Sequence, residues 1–208
     1  GSDNTFLITK SYIPTHNSMV LLMSPMAQIQ VEHLRCSQDD KLVDKHIQDP
    51  VLNKLIKENP LRWGHSEGSI LHLRRTLPRL TDSINRSKMI FPVVDPEMGT
   101  GGWKEKSTTW EFSSGLKFRF GHCKDRGDHI NYLGLGYTEI DFDELIEFNK
   151  EQYDFITSRL RSGDKVLRSM LKVLSASNPR LMGNKGEDIV IDDPAWVKRY
   201  FVDPWPDG

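Results

Sequence analysis

Apolar positions along the chain either alternate or recur with helical spacing, and short polar stretches separate these segments. The run after Ser18 predicts a helix that bends or breaks near Pro25, because proline lacks the amide that an interior helical turn uses. Residues 36–68 are polar with two proline-marked breaks, which predicts an insertion with a short helix or two. Alternation over 69–76 then predicts a strand, and the spacing over 77–90 predicts a helix.

The middle of the chain carries a hairpin pattern. Residues 95–106 are rich in glycine and predict a loop. Two alternating segments follow, 108–112 and 116–120, joined by Ser113-Ser114-Gly115. Alternation on both sides of a short joint that contains glycine predicts two antiparallel strands.

Strands and helices continue to alternate in the second half. A strand is predicted over 137–144, and residues 170–179 predict a second strand that ends in a polar turn. The helix between them is predicted to start near Asn149, as its N-cap, and to run to Arg161. Such alternation predicts an α/β domain in which a mostly parallel sheet carries an antiparallel hairpin at its edge.

Composition fits one sizeable core. The chain has 208 residues, 37% of them hydrophobic and 27% charged, with a formal net charge of −1. This near balance gives no general reason for a nucleic-acid or membrane partner, so any basic surface is local. Cys36 and Cys123 are too few for a disulfide framework, which favours reduced thiols in an intracellular compartment. The apolar run from Met19 to Met23 is far too short to cross a membrane.

Acidic side chains crowd the strand predicted over 137–144. Asp143 and Glu144 end it, and the ends of parallel strands are where ligands bind in α/β folds. In nucleotide hydrolysis the first acid of such a pair holds Mg²⁺ and the second polarises water. Alternatively, the pair only opens a helical turn. Glu139 and Asp141 put charges into a strand expected to be buried, so either one face is open to a nucleotide cleft or the site is degraded.

The order of motifs resembles one family. The central stretch TTWEFSSGLKFRFGHCKDRGDHINYLGLGYTEIDFDELIEFNKEQYDFITSRLRS is similar to the ATPase domain of large terminase subunits, the motors that package tailed-phage DNA. SILHLRRTLPRLTDSI resembles the family's second strand and helix, SASNP its coupling motif, and DDPAWVKRYFVDPWP the stretch that closes the domain. The resemblance covers residues 66–206 in family order, which makes it more specific than a single motif.

The resemblance implies a P-loop NTPase-like three-layer domain, incomplete at its amino end, that hydrolyses ATP with Mg²⁺. Ser18 and Asp143 would hold the metal, and Glu144 would orient the attacking water. Ser177 and Asn178 would sense the γ-phosphate and couple hydrolysis to movement, although Asn178 also suits an ordinary turn before proline.

Two arginines are candidates for charge stabilisation of a phosphate. Arg159 and Arg161 would act as an arginine finger in cis or across a subunit boundary. The alternative is that they only complement the dipole at the end of a helix. Arg74 and Arg75, after the second strand, have the same two interpretations.

The resemblance also implies partners and a place of action. These are double-stranded DNA, the portal protein, the small terminase subunit and further copies in a homo-oligomeric ring, in the host cytoplasm and transiently at the procapsid portal, with no membrane. Residues 18–208 would be the ATPase domain, with the insertion at 36–68 and without the nuclease domain that such subunits usually carry.

The phosphate-binding loop G-x-x-x-x-G-K-[ST] is missing before Ser18. Residues 99–108, GTGGWKEKST, imitate it with the wrong spacing and before a hairpin. Residues 1–17 instead resemble the carboxyl end of an intein. There Asn17 would cyclise and cleave its own peptide bond, His16 would donate a proton, and the Ser18 hydroxyl would accept the upstream chain as an ester.

This interpretation makes the chain the downstream part of an intein-interrupted precursor, with an upstream intein-containing fragment as a partner. We expect the isolated chain to hydrolyse ATP weakly or not at all, because the loop supplies most of the phosphate electrostatics. The alternatives are that His16-Asn17-Ser18 is an ordinary turn and helix cap, or that the domain is a noncatalytic nucleotide- or DNA-binding remnant.

Other polar residues have mostly structural interpretations. His122, Cys123 and His129 lack the paired spacing of a zinc site. The tryptophans favour packing over base stacking. Three basic residues could contact DNA phosphate or lie on a solvated face: Lys165, Arg168 and Lys172.

Overall fold

Six strands form one sheet in the computed structural model, which describes residues 17–177 and 195–201. The strands are β1 (Ser69–Arg74), β2 (Trp103–Lys104), β3 (Thr109–Glu111), β4 (Lys117–His122), β5 (Glu139–Asp143) and β6 (Lys172–Ala176). Their order is β2-β3-β4-β1-β5-β6. Strands β4, β1, β5 and β6 are parallel, whereas β2, β3 and β4 pair antiparallel. The predicted parallel sheet with an antiparallel hairpin is confirmed.

The helices lie largely where the sequence predicts them. They are α1 (Asn17–Met23), α2 (Met26–Ser37), α3 (Asp40–His46), α4 (Pro50–Glu58), α5 (Leu77–Val94), α6 (Lys150–Thr157), α7 (Lys165–Ser169) and α8 (Trp196–Phe201). The break near Pro25 and the short helices of the insertion are confirmed. No helix in the described ranges has the length and apolar character that spanning a bilayer requires.

Helix α6 begins as predicted but ends early. At its start the Asn149 amide donates to the Gln152 side chain over 3.1 Å, which is one half of a capping box. The helix ends at Thr157, so its prediction to Arg161 is wrong. Beyond it the chain turns to bridge the segment before β5, where the Arg161 amide donates to the Tyr137 carbonyl over 2.9 Å. These bridging hydrogen bonds replace the last helical turn.

The segment predicted as a loop over 95–106 contains more regular structure. A 3₁₀ turn covers Pro96–Gly101, and strand β2 follows it. Trp103 of β2 pairs with Trp110 of β3, with ring centroids 5.3 Å apart. Cross-strand aromatic contact of this kind stabilises strand pairing, which the glycine content did not reveal.

Side-chain alternation gives the sheet two differently covered faces. On one face, Ile70, Phe118 and Phe120 pack against residues of α1, α2 and α5. On the other, Leu71, Ile140 and Phe142 pack against α6 and α8. The molecule therefore has three layers, with helices on both sides of the sheet.

The insertion is part of the fold rather than an appendage. Val31, Leu34, Val43, Ile56 and Val166 form a third buried cluster that joins α2, α3, α4 and α7. A buried arginine strengthens this junction.

That residue is Arg35, whose guanidinium lies 2.7 Å from Glu32 and 2.7 Å from Asp164 and also donates to the Asn59 carbonyl. Asp164 in turn caps α7. The arginine thus joins three elements that are distant in sequence.

Candidate functional site

The predicted acidic pair lies at the carboxyl edge of the parallel strands. Asp143 is the last residue of β5, is 1% exposed, and pairs in register with Ala176 of β6. Ser177 follows Ala176 directly, and its hydroxyl accepts a 3.4 Å hydrogen bond from the amide of Ile146. The structure therefore brings Asp143, Glu144 and Ser177 together, as the sequence predicts.

Glu144 has an unusual backbone conformation. Its φ of 63° and ψ of 60° place it in the left-handed region, which costs a residue with a β-carbon about 1 kcal/mol or more. A 3₁₀ turn, Leu145–Glu147, begins immediately after it. The chain thus turns sharply between Asp143 and Glu144.

Arg74 completes this edge of the sheet. It ends β1, the neighbour of β5, and its Nε donates to Oδ2 of Asp143 over 2.6 Å. The guanidinium thus provides a positive charge where the resemblance expects Mg²⁺. The sequence left two interpretations of Arg74, charge stabilisation of a phosphate or of a helix dipole, and its ion pair with Asp143 is a third that neither interpretation included.

Arg159 and Arg161 lie at the opposite edge. The Arg161 guanidinium donates to the carbonyls of Gly134 and Leu135, and the Arg159 guanidinium lies over the ring of Phe155. Both flank Tyr137 on the amino side of β5. Six residues of extended chain separate Tyr137 from Asp143, about 20 Å at 3.3 Å per residue. A finger role in cis is therefore incompatible with this arrangement.

The action of these arginines across a subunit boundary stays a prediction. The alternative interpretation placed both arginines in the last turn of a helix. Helix α6 instead ends at Thr157, before either arginine. Arg75 is accounted for structurally, since its guanidinium donates to the Cys123 carbonyl and to Gln152.

Helix α1 runs along the sheet towards the amino edge. It packs against β5 and β6, and Ser24, just beyond its end, donates to Asp141 and accepts at its carbonyl from Lys172, the first residue of β6. The start of α1 therefore points towards the edge that carries Asp143. The side chains of Asn17 and Ser18, and the whole of His16 and Asn178, lie outside the described residues, so their predicted roles have no structural outcome.

The acids inside β5 face neither solvent nor an open cleft. Glu139 and Asp141 are fully buried beneath the segment that joins α1 to α2. Gln28 donates to Glu139 over 2.9 Å, and Lys172 lies 3.2 Å from the same carboxylate oxygen. Of the two alternatives for these acids, the open face is therefore wrong. Lys172 pairs with Glu139 while its side chain stays 31% exposed, so a contact with DNA phosphate stays a prediction.

Burial and mutual repulsion act on the protonation of these acids. Burial, followed by the charge of Asp141, raises the pKa of Glu139 to about 8 against the opposing effect of Lys172. Burial raises the pKa of Asp141 to about 7. The same environment lowers the pKa of His72 to about 4, because the desolvated ring resists protonation more than Asp143 favours it.

The remaining polar clusters have structural explanations. His129 contacts the Arg126 carbonyl, and burial raises the pKa of the Cys123 thiol to about 12. The indoles of Trp110 and Trp196 are buried and donate to Ser87 and to a carbonyl. Across the described ranges, no three His, Cys, Asp or Glu side chains are grouped as metal ligands.

Ser113, His33 and Asp95 lie together without forming a nucleophilic triad. The Ser113 hydroxyl donates to Asp95 over 3.0 Å, and the same His33 nitrogen, Nε2, approaches both the serine and the aspartate. A triad instead needs the aspartate on the other ring nitrogen and the serine proton directed at histidine. Asp95 here ties the hairpin turn to the end of α5 by accepting from the Ser113 amide as well.

Two cavities of the described region lie away from the acidic edge. One, of about 390 Å³, is lined by Glu67, Gly136 and residues 161–163. The other, of about 540 Å³, lies between α2 and Trp63 and includes His33 and His46. Both are near the amino ends of the parallel strands.

Comparison of the sequence with models of known protein families finds no match. Comparison with curated proteins likewise finds none.

Proposed function

We propose that the protein is the ATPase motor domain of a phage large terminase, a P-loop-type domain that drives DNA into the procapsid. The observation that carries the proposal is the grouping of Arg74, Asp143, Glu144 and Ser177 at one edge of the sheet. Ligands bind at this edge in open α/β folds. The order of motifs over residues 66–206 supplies the particular family.

In the proposed site, Asp143 and the Ser18 hydroxyl would hold Mg²⁺. Mg²⁺ in nucleotide sites commonly has only one or two protein carboxylates, so one buried aspartate suits it. The metal would supply positive charge that offsets the negative charge of the phosphates during hydrolysis. The chain's own Glu144 then orients water, and Ser177 lies where it contacts the turn after Glu144.

Arg74 holds the Asp143 carboxylate in one position. Its 2.6 Å contact keeps the buried Asp143 carboxylate neutralised while no metal is bound. A metal ion held by Asp143 would take the place of this contact, and the Arg74 guanidinium would then be available to bind a phosphate oxygen.

Nucleotide binding and hydrolysis test the proposal when the missing loop is supplied. Residues 1–17 are replaced by a segment that ends in G-x-x-x-x-G-K before Ser18, and Mg²⁺-dependent ATP binding and hydrolysis are measured with and without double-stranded DNA. We expect binding and DNA-stimulated hydrolysis, both lost in Asp143→Asn. Absence of Mg²⁺-dependent binding and of hydrolysis would contradict the proposal.

A second candidate function is protein splicing at the bond between Asn17 and Ser18. The sequence His16-Asn17-Ser18 supports it, and helix α1 begins at this junction. Asn17 would attack its own carbonyl through the side-chain amide, breaking the bond to Ser18 and leaving a cyclic imide on the upstream piece. Mixing the chain with an upstream intein half and measuring product mass tests this. A ligated product that disappears in Asn17→Ala is expected, and no product in either case would contradict it.

A further inference from the structure

Two connections of the chain lie side by side at the carboxyl edge of the sheet. Strands β1 and β5 are parallel neighbours, so the segments that follow them leave the sheet at the same edge. After β1 the chain enters helix α5, and after β5 it passes through Glu144 into the 3₁₀ turn Leu145–Glu147. The start of α5 and this turn therefore belong to the same edge as the proposed site.

An ion pair joins the two connections. Arg79, in the first turn of α5, donates through a guanidinium nitrogen to Oε1 of Glu147, the last residue of the 3₁₀ turn. The Glu147 side chain is 6% exposed and the Arg79 side chain 31%. Removing a charged donor from a carboxylate that is nearly excluded from water leaves a poorly compensated charge. The pair therefore constrains the turn more strongly than a solvated ion pair would.

The turn needs such a constraint because Glu144 has a strained backbone. Its left-handed conformation is unfavourable for a residue with a β-carbon and persists only where surrounding contacts hold it. The Glu147 amide donates to the Glu144 carbonyl over 2.9 Å. The residue that Arg79 holds by its side chain thus closes the turn onto Glu144 by its backbone.

Apolar packing holds the chain after the turn. The Phe148 ring is fully buried and lies 5.2 Å from that of Phe142, centroid to centroid. The Phe148 carbonyl accepts a hydrogen bond from the indole of Trp196 over 2.7 Å. These contacts fix where the turn ends, whereas the contact between Arg79 and Glu147 acts on a side chain of the turn itself.

Helix α5 gives Arg79 a firm support. Leu80, the next residue, is fully buried in the cluster that packs α5 onto the sheet. Side chains of a site are positioned best from a regular element whose own packing is fixed. The same helix also carries a pair of a different kind, Arg86 with Asp82, in which both side chains are exposed. Such a pair contributes little, so Arg86 is a matched control.

We propose that Arg79 is a positioning residue that acts through Glu147 to hold Glu144 in the conformation from which it orients water. The role of Glu144 in hydrolysis rests on the proposed function. The link from Arg79 to the backbone of Glu144 concerns only contacts within the chain and is measurable without nucleotide. Arg79 itself contacts no reacting group in this arrangement.

Nuclear magnetic resonance of the complete chain tests the link. The Cα and Cβ chemical shifts of Glu144 report its backbone conformation, and hydrogen exchange at the Glu147 amide reports the turn. In Arg79→Gln we expect the Glu144 shifts to lose their left-handed character. Exchange at Glu147 should quicken by about 10-fold or more, the effect of losing one charge-assisted hydrogen bond. Arg86→Gln should leave both measurements unchanged, and so should either variant for the Tyr153 amide inside α6.

A second variant approaches the same contact from the other side. Glu147→Gln keeps the shape of the side chain, removes its charge and leaves no buried carboxylate to destabilise the fold. We expect the same direction of change at Glu144 and at the amide of residue 147, because a neutral acceptor binds the guanidinium more weakly.

Single-turnover ATP hydrolysis by the chain with a restored phosphate loop tests the consequence. Arg79→Gln should slow hydrolysis by about 10- to 100-fold, the usual effect of a misplaced catalytic group, and leave the affinity for ATP unchanged. Arg79→Lys should retain most of the rate, since an ammonium can make the one contact with Glu147. Arg86→Gln should hydrolyse ATP at the unmodified rate. A general loss of structure would instead lower rate and affinity together.

Unchanged Glu144 shifts and unchanged exchange at residue 147, in folded Arg79→Gln and Glu147→Gln alike, would overturn the proposal whatever the nucleotide assays show. So would an unchanged single-turnover rate in Arg79→Gln when the unmodified loop-restored chain hydrolyses ATP. If that chain hydrolyses no ATP, the proposed function fails, and the resonance measurements alone decide whether Arg79 holds the turn.

Discussion

Arg74 and Asp143 end neighbouring parallel strands, and the Nε of one lies 2.6 Å from the Oδ2 of the other. The aspartate is 1% exposed and the arginine side chain 18%. Such a partner compensates the charge of a buried carboxylate, and removing the partner strongly destabilises the folded protein. The contact between Arg74 and Asp143 therefore stabilises the folded protein at the same aspartate that is proposed to hold the metal.

Arg74→Ala should lower the free energy of unfolding by about 3 kcal/mol, because it leaves Asp143 buried without its cation. In the double variant Arg74→Ala with Asp143→Asn the loss should be smaller, since no charge remains unpaired. Urea unfolding of both variants measures this difference. An equal loss in the single and double variants would mean that the ion pair is not the source of the effect.

Phe142→Ala should cost about 3–5 kcal/mol by removing a large buried side chain from the face covered by α6 and α8. The Phe142 ring lies 5.2 Å from Phe148 and 5.2 Å from Tyr153, centroid to centroid. The matched control is Met89→Ala on α5, where the side chain is 77% exposed and the cost should stay within about 0.5 kcal/mol. Similar thermal stabilities of the two variants would contradict the three-layer packing.

Arg35→Ala should cost about 3–5 kcal/mol, because Glu32 would be left buried without its cation and α7 would lose its link to α2. Arg35→Lys should recover little, since an ammonium cannot reproduce the branched contacts to Glu32, Asp164 and the Asn59 carbonyl. Removing the cation of the exposed pair Lys54–Glu58 is the control and should change the unfolding midpoint negligibly. A full rescue by lysine would argue against the branched network.

His72→Leu should leave stability at pH 7 unchanged or raise it, because the imidazole nitrogens have no hydrogen-bond partners to lose. The variant should also change the acid side of the stability profile. With a folded pKa of about 4, His72 binds fewer protons than the unfolded chain, so it makes stability rise with pH up to about 6.5.

The acids of β5 act in the opposite direction. Their raised pKa values mean that the folded chain binds more protons than the unfolded chain, so stability falls as pH rises towards about 8. In the unmodified chain His72 offsets part of this fall below pH 6.5. The His72→Leu midpoint should therefore decline more steeply between pH 4.5 and 6.5. Identical slopes would show that His72 does not titrate in this way.

The sequence predicted elements that depend on local pattern. The hairpin around Ser113-Ser114-Gly115, the break at Pro25 and the cap at Asn149 all come from residues whose backbone preferences are strong. The acidic pair at the end of β5 was predictable for the same reason, since a strand end follows from alternation. The local sequence pattern does not predict which distant segment of the chain packs against each side chain.

Long-range contacts explain the wrong predictions. Lys172 has the pattern of a surface residue and its side chain is 31% exposed, yet its ammonium also pairs with the buried Glu139 because β6 lies beside β5. Glu139 and Asp141 suggested an open face because their partners Gln28 and Ser24 are more than one hundred residues away in sequence. For Arg159 and Arg161 a phosphate contact was predicted in cis or across a subunit boundary, and the bridge between Tyr137 and Leu160 holds them at the other edge, which leaves only the second option.

The most direct test of the central claim is the ATP hydrolysis rate of the loop-restored chain with and without Glu144→Gln, measured in a single turnover so that product release does not limit it. Loss of the residue that orients water should slow hydrolysis by at least about 100-fold and leave nucleotide binding intact. Glu151→Gln, at an exposed glutamate paired with Arg126, is the control and should hydrolyse ATP at the unmodified rate. Equal rates for Glu144→Gln and the unmodified loop-restored chain would contradict the proposed site.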